Sequence, residues 1–252
     1  MIDVRNVRKA YGAAVVVDGV SLAIPAGGIT SIIGPNGAGK STLLSLISRL
    51  LPMDAGAILV DGLDVATTRS NALARHLSVL RQDNHITSRL TVRDLVAFGR
   101  YPHSKGRPTA GDREKITAAI GYLGLSDLSE RFLDELSGGQ RQRAFVAMVL
   151  CQETDYVLLD EPLNNLDMKH AVAMMKLLRR AADELGRTVV VVLHDVNFAS
   201  GYSDHIVAMR DGRVLHQGTP AALIRADILG AIFDVGVAVH DLGGRRFVSY
   251  FD

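Results

Sequence analysis

The chain has 252 residues, 48% of them apolar, which suffices for one large α/β domain, or for such a domain with a small subdomain, built on a sizeable core. The formal net charge is +1 and charges of both signs are interspersed, which argues against a nucleic-acid-binding surface as the main function. A single cysteine excludes an internal disulfide bond.

The first 80 residues carry short strand signals separated by turn signals. Met1–Arg5 is strand-like and charged, so we interpret it as part of the fold rather than as a signal peptide. Asp18-Gly19 and Asp61-Gly62 are predicted turns that punctuate the strands. The strands predicted here are Val15–Val17, Ile58–Val60 and Leu77–Leu80.

A glycine-rich loop follows the predicted buried strand Ile29–Ile33. Its residues, Gly34-Pro35-Asn36-Gly37-Ala38-Gly39-Lys40-Ser41, fit the pattern G-x-x-x-x-G-K-[ST] of the phosphate-binding loop of nucleoside triphosphatases. Thr42–Leu51 is predicted to form a helix that Pro52 stops. This strand–loop–helix context favours a phosphate-binding loop over a glycine-rich turn that matches by chance.

The residue types of this loop suit an anion cradle. Glycines let the backbone wrap closely around a phosphate, and successive N–H groups at a helix start face the anion with partial positive charge. Lys40 adds a full positive charge for the terminal phosphates, and the Ser41 hydroxyl is a ligand for Mg²⁺. The loop therefore predicts binding of a nucleoside triphosphate.

From about residue 86 to residue 150 the pattern becomes helical. Residues 99–108 form a polar, Gly/Pro-rich stretch that predicts a loop between helices. Cys151 falls inside a predicted helix, where a buried small apolar side chain is favoured over a nucleophile. The apolar positions with helical spacing are Ile116, Ile120 and Leu123, then Ala144, Ala147, Met148 and Cys151.

Beyond residue 155 strands and helices alternate again. Tyr156–Leu159 and Thr188–Leu193 are near-continuous apolar runs, as expected for central parallel strands, and Met168–Leu185 is the helix between them. A hairpin with an Asp-Gly turn is predicted over 207–215, and a second one around Gly243-Gly244. The longest purely apolar run lies in the second of these strands and is far too short to cross a bilayer.

Two carboxylates follow the apolar strand Tyr156–Leu159. Ligands bind at strand tips in α/β sheets, so we expect Asp160 to lie beside the phosphate loop and to hold Mg²⁺ through water. Glu161 is expected to orient and deprotonate an attacking water. The alternative is that Asp160 and Glu161 simply begin an exposed acidic loop. The phosphate loop upstream makes this alternative weaker.

Leu136-Ser137-Gly138-Gly139-Gln140 opens the helix that runs to about Gln152. Ser137 with Gln140 three positions on forms a predicted capping box, and the two glycines leave the helix start uncovered as a second anion-binding end. An ordinary capped helix is the other interpretation. A second phosphate cradle suggests that the anion is held by the loop of one subunit and the helix end of another.

These three motifs, in this order and spacing, closely resemble those of the ATP-binding subunits of ABC transporters, over roughly residues 2–220. The resemblance implies that Tyr11 stacks on adenine, that Gln82 contacts Mg²⁺ or water and senses the membrane partner, that Asp167 lies in the loop crossing a dimer interface, and that His194 contacts the γ-phosphate. By themselves, these four residues are weaker candidates. The other histidines, such as His205 and His216, lack metal-ligand spacing, and we interpret them as structural or solvated.

The resemblance implies a complete set of site residues. Those assigned to ATP are Tyr11, Gly34, Pro35, Asn36, Gly37, Ala38, Gly39, Lys40, Ser41, Thr42, Ser137, Gly138, Gly139, Gln140 and Asp167. Those assigned to catalysis are Lys40, Gln82, Glu161 and His194, and those assigned to Mg²⁺ are Ser41, Gln82 and Asp160.

The expected fold is α/β. It is a P-loop NTPase core, with a mostly parallel sheet and an antiparallel β subdomain, into which a helical subdomain is inserted. We expect a single ABC ATPase domain over 1–252. The core with its β subdomain is expected over 1–85 and 151–220, the helical subdomain over 86–150, and a short helix and hairpin over 221–252.

Three stretches, 98–107, 159–170 and 193–199, resemble the iron–siderophore import branch of the family, although Asn164-Asn165-Leu166-Asp167 departs from the usual Ser-Ala-Leu-Asp of the interface loop. The resemblance implies a subunit that hydrolyses ATP with Mg²⁺, pairs head to tail with a second copy, and energises uptake of a ferric siderophore. Its expected partners are integral membrane permease subunits and, indirectly, a siderophore-binding protein, with no nucleic acid. It is expected at the cytoplasmic face of the inner membrane, as a peripheral protein.

Other functions stay open at this point. Within transport, the alternatives are an importer of haem, cobalamin or another small cargo, or an exporter. A less favoured alternative is an ABC ATPase that acts on DNA or ribosomes, because such proteins usually carry coiled-coil insertions, zinc-binding cysteines or two ATPase units.

Overall fold

The computed structural model describes residues 1–82, 84, 86 and 88–250. Positions 83, 85, 87, 251 and 252 lie outside the described residues; they fall in the segments expected as core, helical subdomain and C-terminal hairpin, and none is a candidate site residue. The strands are β1 (Ile2–Tyr11), β2 (Ala14–Ile24), β3 (Ile29–Ile33), β4 (Ala55–Val60), β5 (Leu63–Asp64), β6 (Leu77–Leu80), β7 (Tyr156–Leu159), β8 (Thr188–Val192), β9 (His205–Arg210), β10 (Arg213–Gly218), β11 (Ala238–Leu242) and β12 (Arg245–Ser249). The α-helices are α1 (Lys40–Ile47), α2 (Ser70–Leu73), α3 (Val92–Phe98), α4 (Tyr101–Ser104), α5 (Ala110–Tyr122), α6 (Gly138–Cys151), α7 (Met168–Leu185), α8 (Val196–Tyr202), α9 (Pro220–Leu223) and α10 (Ala226–Phe233). Among the described residues, no helix has both the length and the hydropathy needed to span a bilayer.

The chain divides into two compact units, of which the first comprises residues 1–68 and 178–252. It contains an antiparallel sheet with strand order β2-β1-β4-β5, in which Ile2 pairs with both Ile24 and Val60. These three side chains are fully buried, because strand alternation directs them to one face of the sheet. The antiparallel subdomain predicted from the sequence is therefore present.

The same unit contains a parallel arrangement in which β3 lies between β8 and β9. Every residue of β3 and of β8 is buried, as expected for central strands covered on both faces. Ile32 pairs with Val192 on one side and with Val207 on the other. Because parallel strands end at the same sheet edge, this register brings the segments that follow β3 and β8 side by side.

The second unit comprises residues 69–177. Its strands β6 and β7 are parallel, with Leu80 paired to Leu159. Its longer helices, α3, α5 and α6, pack on one another through apolar side chains at helical spacing. The buried residues of this helical core include Val92, Leu95, Val96, Ile116, Ile120, Leu123, Ala144 and Ala147. The helical texture predicted for this part of the chain is confirmed.

Several predicted elements agree with the structure almost to the residue. β6 and β7 have the predicted bounds, and α7 spans Met168–Leu185 as expected. Both hairpins are present, with β9–β10 turning at Asp211-Gly212 and β11–β12 at Gly243-Gly244. These elements carry strong local signals, namely uninterrupted apolar runs, long amphipathic periodicity and Gly-containing turns.

The helix predicted over Thr42–Leu51 was wrong at its C-terminal end. α1 stops at Ile47, and Arg49 adopts a left-handed backbone with φ 55°. The Arg49 guanidinium donates to the carbonyls of Val65 and Thr68. A contact to a distant loop therefore accompanies the helix end, which precedes Pro52 by a full turn.

The turn predicted at Asp18-Gly19 was also wrong. β2 continues through both residues, and its pairing with β1 shifts register between Val7 and Lys9. Gly19 takes φ 62°, and the backbone N–H of Asp18 donates to the Gly212 carbonyl at 2.9 Å. The dipeptide forms a β-bulge, in which glycine supplies the positive φ and the strand continues past it.

The stretch 99–108, predicted as a loop, contains a short helix. α4 occupies Tyr101–Ser104, with Pro102 in its first turn, a position where the absent N–H of proline costs no hydrogen bond. Lys105 ends the helix in a left-handed conformation with φ 51°. The glycines and prolines of this stretch predicted a loop, but they flank or begin a single helical turn.

Candidate functional site

The glycine-rich loop connects β3 to α1, as its sequence predicts. Gly34 has φ 148°, and a Cβ built there would lie 2.0 Å from the Met209 carbonyl oxygen. Gly39 has φ 93°, and its Cβ would lie 2.5 Å from the Val16 carbonyl oxygen. Packing and backbone conformation thus both require glycine at these two positions. The loop is tightly held at its base.

The tip of the loop is built differently. Gly37 has φ 79°, yet no heavy atom of the described residues lies within 4 Å of its Cβ position. Asn36 beside it is exposed. The loop therefore has a rigid base and an open tip, which suits the close approach of an external anion to the backbone.

Lys40 is the first residue of α1 and is only 5% exposed. Its ammonium donates to the carbonyls of Gly34 at 2.8 Å and Pro35 at 2.9 Å, and so reaches back across the loop. No acidic side chain lies in the first turn of α1, and its N-cap, Gly39, supplies no side-chain cap. The helix start therefore keeps its partial positive charge for a ligand, with Ser41 and Thr42 half-buried in the same turn.

His194 belongs to the same unit and lies next to this loop. Ile32 pairs with Val192, so Gly34 and His194 each follow their strand's paired residue by two positions, on adjacent parallel strands. His194 is exposed. The next residue, Asp195, caps α8 by accepting from the Asn197 N–H at 2.7 Å.

The C-terminal hairpin fixes the helix that follows His194. The Asn197 amide donates to the Val248 carbonyl at 3.2 Å and accepts from the Val248 N–H at 2.8 Å. The Ser200 hydroxyl donates to the Arg246 carbonyl at 2.6 Å. The segment after the candidate γ-phosphate histidine is thus anchored to β12.

Tyr11 is the last residue of β1, and half of its surface is exposed. The Lys9 ammonium lies 5.8 Å from the centre of its ring, a cation–π distance. Lys9 also pairs with Asp54 at 2.8 Å. Tyr11 therefore lies at the C-terminal end of β1, beside Lys9, with half of its surface exposed.

In the second unit, Gln82 and Glu161 meet. Leu80 pairs with Leu159, so the two side chains each follow their strand by the same number of positions, and Gln82 Nε2 donates to Glu161 Oε2 at 2.7 Å. The Asn164 amide donates to the same oxygen at 3.1 Å. The carboxylate is thus held by two neutral donors.

The backbone around these carboxylates is also constrained. Asp160 is 7% exposed, and its N–H continues the parallel pairing by donating to the Leu80 carbonyl at 2.9 Å. Glu161 takes a left-handed conformation with φ 49°, which costs a non-glycine residue about 1–3 kcal/mol. Such strain at a strand tip is typical of functional sites, because the surrounding structure must enforce it.

The capping box predicted at the start of α6 is confirmed. The Ser137 hydroxyl accepts from the Gln140 N–H at 3.3 Å, and the Gln140 side chain accepts from the Ser137 N–H at 2.9 Å. The N–H groups of Gly138 and Gly139 lie in the first turn, where a helix offers no internal acceptor. The helix end thus presents two N–H groups at glycines.

Asp167 lies directly before α7. Its carboxylate accepts from the His170 N–H at 2.8 Å and lies 2.7 Å from Nδ1 of the same residue. The His170 N–H is the main cause that holds the pKa of this carboxyl below its usual range, and the ring adds to it. Asp167 is therefore an ionised N-cap.

Sequence reasoning missed Asn164 and His170. The signal for His170 was present, since it follows the candidate Asp167 by three positions, the spacing of a capping box. Asn164 follows Glu161 by the same three positions, but a turn rather than a helix follows Glu161, so the spacing did not indicate a cap there. In sum, the structure groups Gly34–Thr42 with His194 in one unit and Gln82 with Asp160 and Glu161 in the other.

Known proteins share this architecture. The sequence profile of a family described as ABC transporter matches residues 17–164. The chain is similar to the petrobactin import ATP-binding protein YclP of Bacillus subtilis (strain 168), with 52% identity over 251 residues that cover 100% of each chain.

Two solved structures are similar as well. A metal-chelate type ABC transporter in an inward-facing conformation matches with a TM-score of 0.85 and 25% identity, over 99% of this chain and 96% of that chain. A dimeric, post-hydrolysis state of the ATP-binding cassette MJ0796, bound to ADP and Pi, matches with a TM-score of 0.77 and 27% identity, over 87% of this chain and 99% of that chain. The α/β class and the resemblance inferred from the motifs are confirmed, while the role of each site residue stays a prediction.

Proposed function

The chain belongs to the ABC transporter family as an ATP-binding ATPase, and from that membership we propose that it energises an importer of ferric siderophores. The single observation that carries the proposed chemistry is the hydrogen bond from Gln82 to Glu161, which fixes a carboxylate at the tip of a buried strand. Because a general base works only in a defined position, this constraint supports a hydrolytic role.

The loop fits a triphosphate. Gly37 leaves the tip open, and the first turn of α1 carries no acidic residue that would repel an anion. Lys40 already points across the loop to the carbonyls of Gly34 and Pro35, and it exchanges these neutral acceptors for phosphate oxygens when ATP binds. Tyr11 offers its exposed ring to the adenine base.

The assigned donors also fit Mg²⁺. A hydroxyl (Ser41), an amide oxygen (Gln82) and a carboxylate (Asp160) are the hard oxygen ligands that this ion prefers. When bound, Mg²⁺ neutralises charge on the transferring phosphoryl group. Asp160 is only 7% exposed and directly follows the buried strand β7, a position at which α/β sheets bind ligands, which supports this assignment.

Hydrolysis in this scheme is mainly positioning and electrostatics. Glu161 accepts a proton from the attacking water, while Gln82 and Asn164 hold its carboxylate in place. His194 stabilises the γ-phosphate from the strand next to the phosphate loop. Gln82, Glu161 and His194 thus each follow the C-terminal end of a parallel strand by two positions.

Two copies pair head to tail in an isologous arrangement with two ATP molecules between them. The phosphate loop of one copy and Ser137–Gln140 of the other hold each ATP, and Asp167 lies in the loop that crosses the interface. The dimeric, ADP- and Pi-bound cassette named above supports this proposal. Loss of the γ-phosphate removes the group that bridges the copies, so the pair opens.

The partners follow from the transport role. The helical part of the second unit and Gln82 pass this opening to permease subunits in the membrane, and a separate protein delivers the siderophore. The subunit lies peripherally at the cytoplasmic face of the membrane. Petrobactin is the first cargo to test, because YclP is named for its import.

Deletion of the coding sequence, combined with uptake of radiolabelled ferric petrobactin, tests the proposal. We expect uptake to be lost in the deletion strain, restored by the wild-type chain, and not restored by Glu161→Gln. Co-purification from detergent-solubilised membranes is the second measurement, and a permease is the expected partner. Normal uptake in the deletion strain, or a ribosomal or DNA partner instead of a permease, would contradict the proposal.

A further inference from the structure

The two glycines at the start of α6 have different surroundings. A Cβ at Gly138 would meet no heavy atom of the described residues within 4 Å. A Cβ at Gly139 would lie 2.9 Å from Cδ2 and 3.0 Å from Cγ of the His170 ring. Within its own chain, a side chain at position 139 would therefore displace the His170 ring, whereas position 138 has room for one.

The backbone does not explain this difference. Neither glycine has a positive φ, since both lie in a regular helix. An alanine is intrinsically favoured over glycine at such positions. The group that a side chain at position 139 would displace is therefore the imidazole of His170, which lies against the first turn of α6.

The same imidazole contacts Asp167. An ionised carboxylate only accepts hydrogen bonds, so His170 donates to Asp167 Oδ1 through Nδ1 at 2.7 Å, alongside its backbone N–H at 2.8 Å. One ring thus lies against the start of α6 through Cδ2 and Cγ and holds the carboxylate before α7 through Nδ1. These two places are far apart in sequence.

The stability of the protein does not account for this arrangement. The side chains of His170 and Asp167 are 40% and 65% exposed, and exposed pairs of this kind contribute less than about 1 kcal/mol to folding. Fixing two functional segments relative to each other has a larger effect on a reaction, because a displacement of about 1 Å costs on the order of 10²-fold in rate.

We propose that His170 is a positioning residue that locks the start of α6 to Asp167, so that the helix end and the interface loop reach the ATP of the partner copy as one rigid body. This rests on the proposed function of both segments. Gly139 is glycine to seat the His170 ring, whereas Gly138 is glycine to admit the phosphate. The two glycines of this motif therefore have different roles: Gly139 makes room for the His170 ring, and Gly138 makes room for the phosphate.

A double-mutant cycle tests the contact at Gly139. Gly139→Ala is expected to lower kcat for ATP hydrolysis by about 10- to 100-fold, because the new methyl group displaces the ring. In a His170→Ala background, which removes the ring, adding Gly139→Ala is expected to change kcat by less than about twofold. Gly138→Ala is expected to cost the same factor with or without His170. Equal, multiplicative losses for Gly139→Ala in both backgrounds would overturn the proposal.

A second pair of variants tests the contact with Asp167. His170→Asn keeps a donor in the place of Nδ1 but withdraws the ring, so it is expected to recover only the part of the activity lost in His170→Ala that depends on the bond to Asp167. Lys169→Ala removes a neighbouring positive charge without touching Gly139 and is the matched control, with kcat near wild type. No recovery in His170→Asn would show that the bond to Asp167 contributes nothing, and full recovery would show that the ring contact with Gly139 is not needed; either result would overturn the proposal.

Separate measurements keep this proposal distinct from the proposed function. ATP binding to the isolated subunit, measured by calorimetry, is expected to be unchanged in every variant of this series, because the phosphate loop is intact. Thermal unfolding identifies variants that fail to fold, and His170→Asn then replaces His170→Ala in the cycle. If the wild-type protein itself hydrolyses no ATP, the proposed function fails; if only the cycle is multiplicative, this inference alone fails.

Discussion

Gln82 donates a 2.7 Å hydrogen bond to Glu161 across 79 residues of sequence. The contact exists because β6 and β7 are parallel and in register, so each strand delivers a polar side chain to the same edge. Glu161 carries the only negative charge of this pair, and its proposed role as a base depends on that charge.

Glu161→Gln is therefore expected to keep the shape of this site while removing the base. We expect kcat to fall by about 10²- to 10⁴-fold while ATP binding persists. Because ATP is bound but not consumed, the variant is expected to accumulate as a dimer with Mg-ATP, which size-exclusion chromatography with light scattering measures. Glu114→Gln, at an exposed position of α5, is the control. A fully active, monomeric Glu161→Gln would exclude Glu161 as the base.

Lys40→Ala removes the only full positive charge of the phosphate loop. A hydrogen bond to a charged group contributes about 1.5–3 kcal/mol, so we expect ATP affinity to fall by roughly 10- to 100-fold. Isothermal titration calorimetry measures this loss, with the exposed Lys176→Ala as control. Unchanged affinity would leave Lys40 with only its observed role of tying the loop carbonyls.

His194→Ala is expected to lower kcat by about 10²- to 10³-fold, as removal of a preorganised charge stabiliser does, with little change in KM. His216→Ala, on the exposed surface of β10, provides the comparison. Steady-state ATPase assays measure both. Wild-type turnover in His194→Ala would mean that this histidine is structural.

Arg100 and Asp112 form a buried ion pair in the second unit, with Nε and Oδ1 2.9 Å apart. The Thr109 N–H, the Thr109 hydroxyl and then Arg100 lower the pKa of Asp112 to about 2. A carboxyl with a depressed pKa stabilises the folded state above its unfolded value of 3.8, and this contribution is lost as the pH falls from there towards 2. Melting temperatures across that range should fall less steeply in Asp112→Asn than in wild type.

Breaking the Arg100–Asp112 pair at neutral pH should lower the free energy of unfolding more than breaking an exposed ion pair does. Asp112→Ala removes one of the two carboxylates that pair with the buried Arg100 guanidinium, since Glu153 stays at 3.0 Å, and is expected to cost about 1.5–3 kcal/mol of unfolding free energy. Glu130→Ala breaks the exposed pair with Arg93 and should cost less than about 1 kcal/mol. Denaturant titrations compare the two, and equal losses would contradict this difference.

Burial raises the pKa of the Cys151 thiol to about 11, although the nearby Arg100 opposes the shift. The reactive thiolate is therefore scarce in the folded protein at mildly alkaline pH. Labelling with a thiol reagent is expected to be slow in the native state and fast after unfolding in guanidinium chloride. Since the chain has no other cysteine, rapid native labelling would place this thiol at the surface.

Most of the secondary structure could be predicted because its signals are local. The bounds of β7 and α7 follow from an apolar run and from helical periodicity, and the Ser137–Gln140 capping box involves residues within one turn. Errors arose where a distant residue decided the local structure. Arg49, held by the Val65 and Thr68 carbonyls, accompanies the early end of α1, and the contact with Gly212 accompanies the bulge at Asp18-Gly19.

The sequence by itself determined the α/β class, the phosphate loop and the acidic strand tip, because each is specified by residues within a few positions of one another. Only the tertiary structure decided that Gln82 holds Glu161, that His194 follows the strand beside the phosphate loop, and that the His170 ring lies against the glycine at position 139. These relationships depend on strand register and on side chains that pack from remote parts of the chain. No local pattern encodes which of two glycines faces a neighbouring imidazole and which faces open space.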